Sequence, residues 1–191
     1  MTTKSVLLVG VGGQGTILAS KLLTQGLLEA GYDVKMSEIH GMSQRGGSVS
    51  SQVRFGDQVY SPVIEIGGAD MMVSFELMEA LRNLQYLKPD GKVVVNDFRI
   101  SPMPVITGEA DYADDILEEL KIAVSVTAVD AAKLARELGN PKVMNIVLLG
   151  TIIKSMGLEH IDWPAIIRAN VKPGFEDINI RAIETGMAAV E

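Results

Sequence analysis

The feature that most constrains the fold is the start of the chain, where a short apolar run passes directly into a glycine-rich segment. Residues 6–9 are a continuous run of Val and Leu, which is typical of a strand buried on both faces of a parallel sheet. Residues 10–15 read Gly-Val-Gly-Gly-Gln-Gly and fit the pattern G-x-G-x-x-G. Residues 16–30 then repeat apolar side chains at helical spacing. This order predicts a strand, a glycine turn and a helix.

The same alternation continues along the chain and predicts an α/β fold: a Rossmann-like open, mostly parallel sheet with helices on both faces. Further strands are predicted at residues 33–38, 71–75, 93–95 and 122–129. A β-hairpin insertion is predicted from residues 48–55 and 59–60, with its turn at Gly56-Asp57. Helices are predicted at 76–87, 111–120 and 130–138, and in a helical C-terminal part at 143–156, 162–170 and 177–190. We assign residues 1–191 to a single domain.

Composition excludes several classes of function. The chain has 17 basic and 24 acidic residues and only 5% aromatic residues, which argues against a nucleic-acid partner. It has no cysteine, so it cannot hold a disulfide or a thiolate-bound iron–sulfur cluster. Its two histidines match no metal-ligand spacing, so we expect no metal site. The sequence has no export signal and no membrane-spanning stretch, so we expect no membrane partner and a cytoplasmic protein.

The first glycine segment has two possible roles. Gly12 and Gly13 would let the backbone approach a phosphate closely, and the N-terminus of the following helix favours an anion. Gln14 adds an amide that both donates and accepts hydrogen bonds, and Gly15 completes the pattern. Alternatively, the glycines only permit a tight crossing between strand and helix against a neighbouring subunit. Both interpretations remain open on the sequence.

A second glycine segment follows the predicted second strand and reads His40-Gly41-Met42-Ser43-Gln44-Arg45-Gly46-Gly47. Arg45 has a planar fork of donors suited to a carboxylate or phosphate, and Gly46 and Gly47 remove side chains that would block close approach. The alternative is a structural ion pair from Arg45 to Glu38 or Glu65.

Three further polar residues are candidates for the site. Glu38 is at the position where a nucleotide-binding fold holds a ribose. His40 could relay a proton, or it could be a hydrogen-bonded structural residue. Asn145 interrupts an apolar helical run and must find hydrogen-bond partners if buried, so it either lines the cleft or ties the helix to a loop.

The two glycine segments together resemble the gamma-type domain of the 2-oxoacid:ferredoxin oxidoreductase family. The strand at 69–75, the turn at 87–91 and residues 145–150 share the resemblance, which therefore spans nearly the whole chain. The His-Gly-Met-Ser-Gln-Arg-Gly-Gly wording is similar to the indolepyruvate branch, whereas pyruvate and 2-oxoglutarate members tend to show Tyr-Gly-x-Glu-x-Arg-Gly-Gly.

The resemblance implies a small oxidoreductase subunit that is active only with a large alpha subunit. That partner would hold thiamine diphosphate and iron–sulfur clusters, oxidise an aryl 2-oxoacid to aryl-acetyl-CoA and reduce ferredoxin, with coenzyme A as co-substrate. The small subunit would close the active site and help the coenzyme A side of the reaction.

Carried to this sequence, the resemblance identifies cofactor-binding candidates in both glycine segments: Gly12, Gly13, Gln14, Gly15, Gln44, Arg45, Gly46 and Gly47. Glu38 and Asn145 are further candidates for the same cleft, and His40 and Arg45 are the candidates for a catalytic role. Three alternatives remain: a gamma-type subunit for pyruvate or 2-oxoglutarate, an independent nucleotide-binding oxidoreductase, and a scaffolding module.

Overall fold

The computed structural model describes residues 2–40 and 46–190, and of His40 it describes the backbone alone. The strands are β1 (Lys4–Val11), β2 (Asp33–His40), β3 (Ser48–Gly56), β4 (Ala69–Ser74), β5 (Leu87–Asn96) and β6 (Ser125–Val129). The helices are α1 (Thr16–Glu29), α2 (Leu77–Asn83), α3 (Met103–Ile106), α4 (Ile116–Ala123), α5 (Ala131–Glu137), α6 (Met144–Ser155), α7 (Trp163–Asn170) and α8 (Glu176–Ala188). Short 3-10 turns lie at Leu84–Tyr86 and Pro141–Val143.

The described strands form one mixed sheet in the order β2-β3-β1-β4-β5-β6. β1, β4, β5 and β6 run parallel, whereas β3 lies antiparallel between β1 and β2. The predicted fold class, an open and mostly parallel sheet with helices, is confirmed.

Alternate side chains of β1 enter two separate hydrophobic layers, because successive strand residues point to opposite faces of a sheet. Val6 and Leu8 join the layer formed with α1 and α5–α8. Leu7 and Val9 join the layer formed with α2 and α4. Burial on both faces explains why residues 6–9 are uniformly apolar rather than alternating.

Helices α6 and α8 pack closely against each other in the first layer, and two glycines permit this contact. A Cβ on Gly186 would lie 1.9 Å from the carbonyl oxygen of Val147, and one on Gly150 would lie 2.3 Å from that of Ile183. Backbone lies at both positions, so no side-chain rotation could make room for the extra atom.

The predicted hairpin is wrong in its second strand. β3 pairs with β2 on one side and β1 on the other, and residues 57–68 form no strand. Val59 is nevertheless buried, and its N–H donates to the carboxylate of Asp33 at 2.7 Å. Alternation along residues 48–55 indicates a strand, but it contains no information on which distant segment will pair with it.

Other boundaries also differ from the sequence-based expectation. β5 begins at Leu87, so residues 87–91, expected as a turn, belong to the strand predicted at 93–95, and the helix predicted at 76–87 ends at Asn83. The helix predicted at 111–120 is α4, which begins later so that Ile116 and Leu120 enter the second layer. The strand predicted at residues 122–129 is the shorter β6, because residues 122 and 123 still belong to α4 and Val124 ends that helix. β6 is an edge strand with four of its five residues at least partly exposed, so its apolar pattern is weak. No helix in the described part of the chain is long and apolar enough to cross a bilayer.

Candidate functional site

The first glycine segment and Gly46-Gly47 of the second lie at one edge of the sheet, where the parallel strands end and β3 begins; we call this the carboxyl edge. The N–H of Gly12 donates to the carbonyl of Gly47 at 2.8 Å, and the N–H of Gly46 donates to the carbonyl of Gly12 at 3.3 Å. These two bonds, the glycine junction, join segments that are 35 residues apart in sequence. The structure therefore brings Gly12 of the first segment into contact with Gly46 and Gly47 of the second.

The glycines of the first segment are required for different reasons. Gly13 and Gly15 have φ values of +103° and +85°, which favour glycine. A Cβ on Gly13 would meet no atom within 4 Å, so its constraint is the backbone alone. A Cβ on Gly15 would lie 2.7 Å from Nδ2 of Asn145, and one on Gly10 would lie 2.9 Å from Cβ of Phe75. Gly15 is therefore required both by its positive φ and by tight packing, whereas Gly10 is required by tight packing alone.

The side chain of Gln14 is used inside the chain. Its Oε1 accepts from the N–H of Val11 at 2.8 Å, and its Nε2 donates to the carbonyl of Phe75 at 2.8 Å. The amide thus joins the ends of β1 and β4 and shapes the first glycine segment. The sequence predicted an amide available to a ligand, whereas the structure shows both ends of it engaged.

A cleft of about 420 Å³ opens beside the N-terminus of α1; we call it the α1 cleft. Four parts of the chain line it: the first glycine segment, the residues that follow β5, helix α5, and the turn that leads into α6. The lining residues are Gly13, Gln14, Gly15, Phe98, Ala132, Arg136, Pro141, Lys142, Met144 and Asn145. None of these described lining residues carries a carboxylate, whereas Arg136 and Lys142 each carry a positive charge. Neither cation belongs to a sequence motif, so the sequence alone did not indicate them.

Asn145 reaches the α1 cleft from the first turn of α6 and is only 5% exposed. Its Nδ2 donates to the carbonyl of Gly15 at 3.2 Å. Its Oδ1 is buried and has no hydrogen-bond partner among the described residues. Asn145 therefore does both things that the sequence left open, since it ties α6 to the glycine segment and lines the cleft.

Two buried carboxylates, Glu76 and Glu79, lie on the other side of the glycine junction, each 1% exposed. Glu76 caps α2 by accepting from the N–H of Glu79 at 3.0 Å, and it also accepts from the N–H of Ile100 at 3.2 Å. Glu79 accepts from Ser48 Oγ at 2.5 Å and pairs with the guanidinium of Arg82 at 2.7 Å. Because Ser48 directly follows Gly47, Glu79 fastens the second glycine segment to α2.

Sequence reasoning missed this pair of carboxylates, although one signal was present: Glu76 stands directly before a helix, where a side-chain acceptor can cap it. The hydroxyl of Tyr112 donates to Glu76 and accepts from the N–H of Met78. Burial, followed by the hydrogen bond to Glu76, raises the pKa of Tyr112 above its usual range. Tyr112 is therefore protonated at neutral pH and can donate to Glu76.

The other predicted site residues are only partly described. Glu38 lies on β2, and its Oε1 is buried without a partner among the described residues. Gln44 and Arg45, and the side chain of His40, lie outside the described residues. Within the described ranges, no group of three His, Cys, Asp or Glu residues is placed to hold a metal ion.

The profile of the pyruvate ferredoxin/flavodoxin oxidoreductase family matches residues 5–189. The chain belongs to this family. The resemblance based on the two glycine segments is therefore confirmed, as is the assignment to a family of oxidoreductase subunits.

Similar proteins span the whole chain. The indolepyruvate oxidoreductase subunit IorB of Pyrococcus horikoshii is 42% identical, covering 100% of this chain and 98% of that protein. The IorB subunit of Thermococcus kodakarensis is also 42% identical over the same shares. The 2-oxoglutarate synthase subunit KorC of Methanothermobacter marburgensis is 28% identical, covering 96% of this chain and 94% of its own.

Solved structures share the fold. Pyruvate oxidoreductase subunit PORC from Thermotoga maritima has a TM-score of 0.74 at 22% identity, with 98% of this chain and 97% of that chain covered. The 2-oxoglutarate:ferredoxin oxidoreductase from Magnetococcus marinus, solved with 2-oxoglutarate, coenzyme A and succinyl-CoA bound, has a TM-score of 0.77 at 18% identity. The match covers 99% of this chain but 31% of that one, so in that enzyme the same fold is part of a much longer chain.

Proposed function

We propose that this chain is the small subunit of an indolepyruvate oxidoreductase that works with a large thiamine-diphosphate-dependent alpha subunit in the cytoplasm. The reaction breaks the bond between the carboxylate and the carbonyl carbon of an aryl 2-oxoacid and releases carbon dioxide. Two electrons pass to ferredoxin, and the sulfur of coenzyme A loses its proton and bonds to the remaining acyl carbon. The relatives that are 42% identical support the aryl substrate over 2-oxoglutarate, whose KorC relative is 28% identical.

The glycine junction is the observation that carries this proposal. Ligands of open α/β sheets bind outside the carboxyl ends of the strands, and here that edge presents the backbone of Gly12, Gly46 and Gly47 without side chains. Such a surface allows close approach by a partner subunit or by a cofactor that the partner holds. Gly12, Gly13, Gly15, Gly46 and Gly47 are therefore proposed to face the partner's active site and to close it.

The residues of this chain also indicate what its partner supplies. Iron–sulfur clusters are held by Cys thiolates, and the chain has no cysteine, so any cluster belongs to another subunit. Thiamine diphosphate, when bound in the large subunit, would supply the carbanion chemistry of decarboxylation. The role proposed for this chain is to exclude water from that reaction and to help coenzyme A reach the acyl group.

Reconstitution tests the proposal. The full chain and its large partner are purified separately and together, and reduction of ferredoxin is followed with coenzyme A and each of four acids: indolepyruvate, phenylpyruvate, pyruvate and 2-oxoglutarate. We expect turnover from the complex alone, with the two aryl acids preferred. Turnover by the isolated chain, or a complex that prefers pyruvate or 2-oxoglutarate, would contradict the proposal.

A further inference from the structure

The described end of the second glycine segment has little of its own to hold it in place. Gly46 has φ +84°, and a Cβ there would meet no atom within 4 Å. Neither Gly46 nor Gly47 has a side chain that could pack, and glycine loses more conformational freedom on ordering than any other residue. Such a segment keeps one geometry only if a neighbouring group fixes it. Ser48, the first residue of β3, adjoins Gly47 and has a side chain that can do so.

Glu79 provides this fixation through Ser48. Ser48 is exposed, but its hydroxyl donates to Oε2 of Glu79 at 2.5 Å, and Glu79 is only 1% exposed. Oε1 of Glu79 accepts from Arg82 at 2.7 Å, so both carboxylate oxygens are engaged. A hydrogen bond to a charged acceptor is roughly twice as strong as one between neutral groups. The bond therefore fastens the residue next to Gly47 to a buried point on α2.

Glu79 is a fixed point because the first turn of α2 is itself held from several sides. Glu76 caps the helix by accepting from the N–H of Glu79 at 3.0 Å. The same carboxylate accepts from the hydroxyl of Tyr112 and from the N–H of Ile100, so it also holds the chain that follows β5. The first turn of α2 cannot shift without breaking these bonds, and the position of Glu79 is therefore passed on to the glycine junction.

Stability alone does not account for a carboxylate at this position. Removing a charged group from water is costly, and apolar residues of similar size in place of a buried ion pair often leave a protein equally stable or more stable. The pocket between Glu79, Glu76 and Gly46 has a volume of about 30 Å³, far below the roughly 300–1,000 Å³ of small-molecule sites. It has no room for a substrate, so Glu79 acts on the position of Ser48 rather than on a ligand.

We propose that Glu79 is a positioning residue for the reaction of the assembled enzyme: through the hydroxyl of Ser48 it holds Gly46 and Gly47 in the geometry in which they close the partner's active site. The identity of the reaction rests on the proposed function. Without the bond between Ser48 and Glu79, the second glycine segment adopts other conformations. Only the fraction of complexes with the glycine junction in place then turns over, so kcat falls while the 2-oxoacid, held by the large subunit, binds as before.

Ser48→Ala in the full chain, assembled with its large partner, tests this role. With indolepyruvate and coenzyme A, kcat for ferredoxin reduction should fall by about tenfold or more, because a hydrogen bond to a charged group is lost. The KM for indolepyruvate should stay unchanged. Ser48→Thr keeps the hydroxyl and suits a strand, so it should restore kcat.

Ser50→Ala is the matched control and should turn over like the wild type. Ser50 lies on the same strand and the same face of the sheet as Ser48, and its hydroxyl forms no hydrogen bond with another described residue. An unchanged kcat for Ser48→Ala, or no recovery with Ser48→Thr, would overturn the proposal. Failure of Ser48→Ala to assemble would also overturn it, since the bond would then serve subunit binding rather than the reaction.

A double variant tests whether Glu79 acts through Ser48. Glu79→Gln keeps an acceptor but loses the charge, so its kcat should lie between those of the wild type and Ser48→Ala. If both residues act through one bond, Ser48→Ala/Glu79→Gln should have the kcat of Ser48→Ala alone. Losses that multiply in the double variant would show that Glu79 acts by another route and would refute the proposal.

Amide hydrogen exchange of the full chain gives a readout that does not depend on activity. The N–H of Gly12 donates to Gly47, and the N–H of Phe75 donates to Val9 at the same edge, both at 2.8 Å. Ser48→Ala should speed exchange at Gly12 by about tenfold or more through local opening, and leave Phe75 unchanged. Equal acceleration at both amides would indicate general destabilisation, and no acceleration at Gly12 would show that Glu79 does not hold the junction; either result overturns the proposal.

The two assays separate this proposal from the proposed function. If the wild-type complex oxidises indolepyruvate and Ser48→Ala speeds exchange at Gly12 without lowering kcat, the positioning role is refuted and the subunit role stands. If the wild-type complex oxidises none of the four acids, the proposed function fails, whereas faster exchange at Gly12 in Ser48→Ala still supports the hold of Glu79 on the glycine junction.

Discussion

Replacing Gly15 with alanine should destabilise the protein through two effects that the structure separates. The first is backbone strain, because Gly15 has φ +85° and an L-residue in this region costs about 1–2 kcal/mol. The second is contact, because the new Cβ would lie 2.7 Å from Nδ2 and 3.0 Å from Cγ of Asn145. Asn145 must then move and lose its bond to the Gly15 carbonyl, at about 1–3 kcal/mol for the groups left unpaired.

Gly31→Ala is the matched control for this substitution. Gly31 lies beyond the other end of α1 with φ +86°, and a Cβ there would meet no atom within 4 Å. It should therefore show the strain alone, about 1–2 kcal/mol, whereas Gly15→Ala should cost about 2–5 kcal/mol in the free energy of unfolding.

Urea denaturation of the two variants and the wild type measures both values. The double variant Gly15→Ala/Asn145→Ala should cost less than the sum of its single variants, because both remove the same contact. If Gly15→Ala destabilises no more than Gly31→Ala, the proposed contact with Asn145 contributes nothing and the account is refuted.

Three further outcomes follow from buried groups elsewhere. Glu79→Gln should lower the free energy of unfolding by about 1–3 kcal/mol, because Ser48 and Arg82 lose a charged acceptor; the exposed Glu118→Gln is its control, and equal urea midpoints would contradict it. Burial raises the pKa of Asp70, but hydrogen bonds from Lys88 and the N–H of Ser5 outweigh it and lower the pKa below the usual value. Ionised Asp70 should therefore stabilise the protein above about pH 4 and lose this effect as the pH falls through its folded pKa. The free energies of unfolding of the wild type and Asp70→Asn should converge in acid. A constant difference between them down to acid pH would show that the ionised Asp70 carboxylate is not responsible. Gly186→Ala should cost about 1–3 kcal/mol or more, because its Cβ would lie 1.9 Å from the carbonyl oxygen of Val147 and force α6 away from α8; an unchanged melting temperature would disprove that contact.

The first unit of the fold could be read from the sequence because each of its signals is local. Residues 6–9 show burial on both faces, residues 10–15 supply the positive φ values of Gly13 and Gly15, and residues 16–30 repeat at helical spacing. Strand, turn and helix each depend on neighbours within a few residues. The same holds for the two glycine segments, whose order of residues was sufficient for the family assignment.

The partners of these segments are decided by the tertiary structure. β3 has the same alternation whichever strand lies beside it, and the structure places it between β1 and β2 rather than next to residues 59–60. Pairing energy depends on which surfaces the remaining chain buries, so the pattern of one segment cannot specify its neighbour.

The candidate site also combines features that the sequence determines with contacts that only the tertiary structure determines. The sequence by itself determined that glycine backbone and a helix N-terminus would stand at the end of β1, and it excluded thiolate-bound clusters through the absence of cysteine. Only the tertiary structure decided that Glu79 holds Ser48, that Asn145 contacts Gly15 from 130 residues away, and that Arg136 and Lys142 line the same cleft. Chemical type and local conformation are properties of the residues themselves, whereas these distances arise when both faces of the sheet are covered and distant helices are brought to its carboxyl edge.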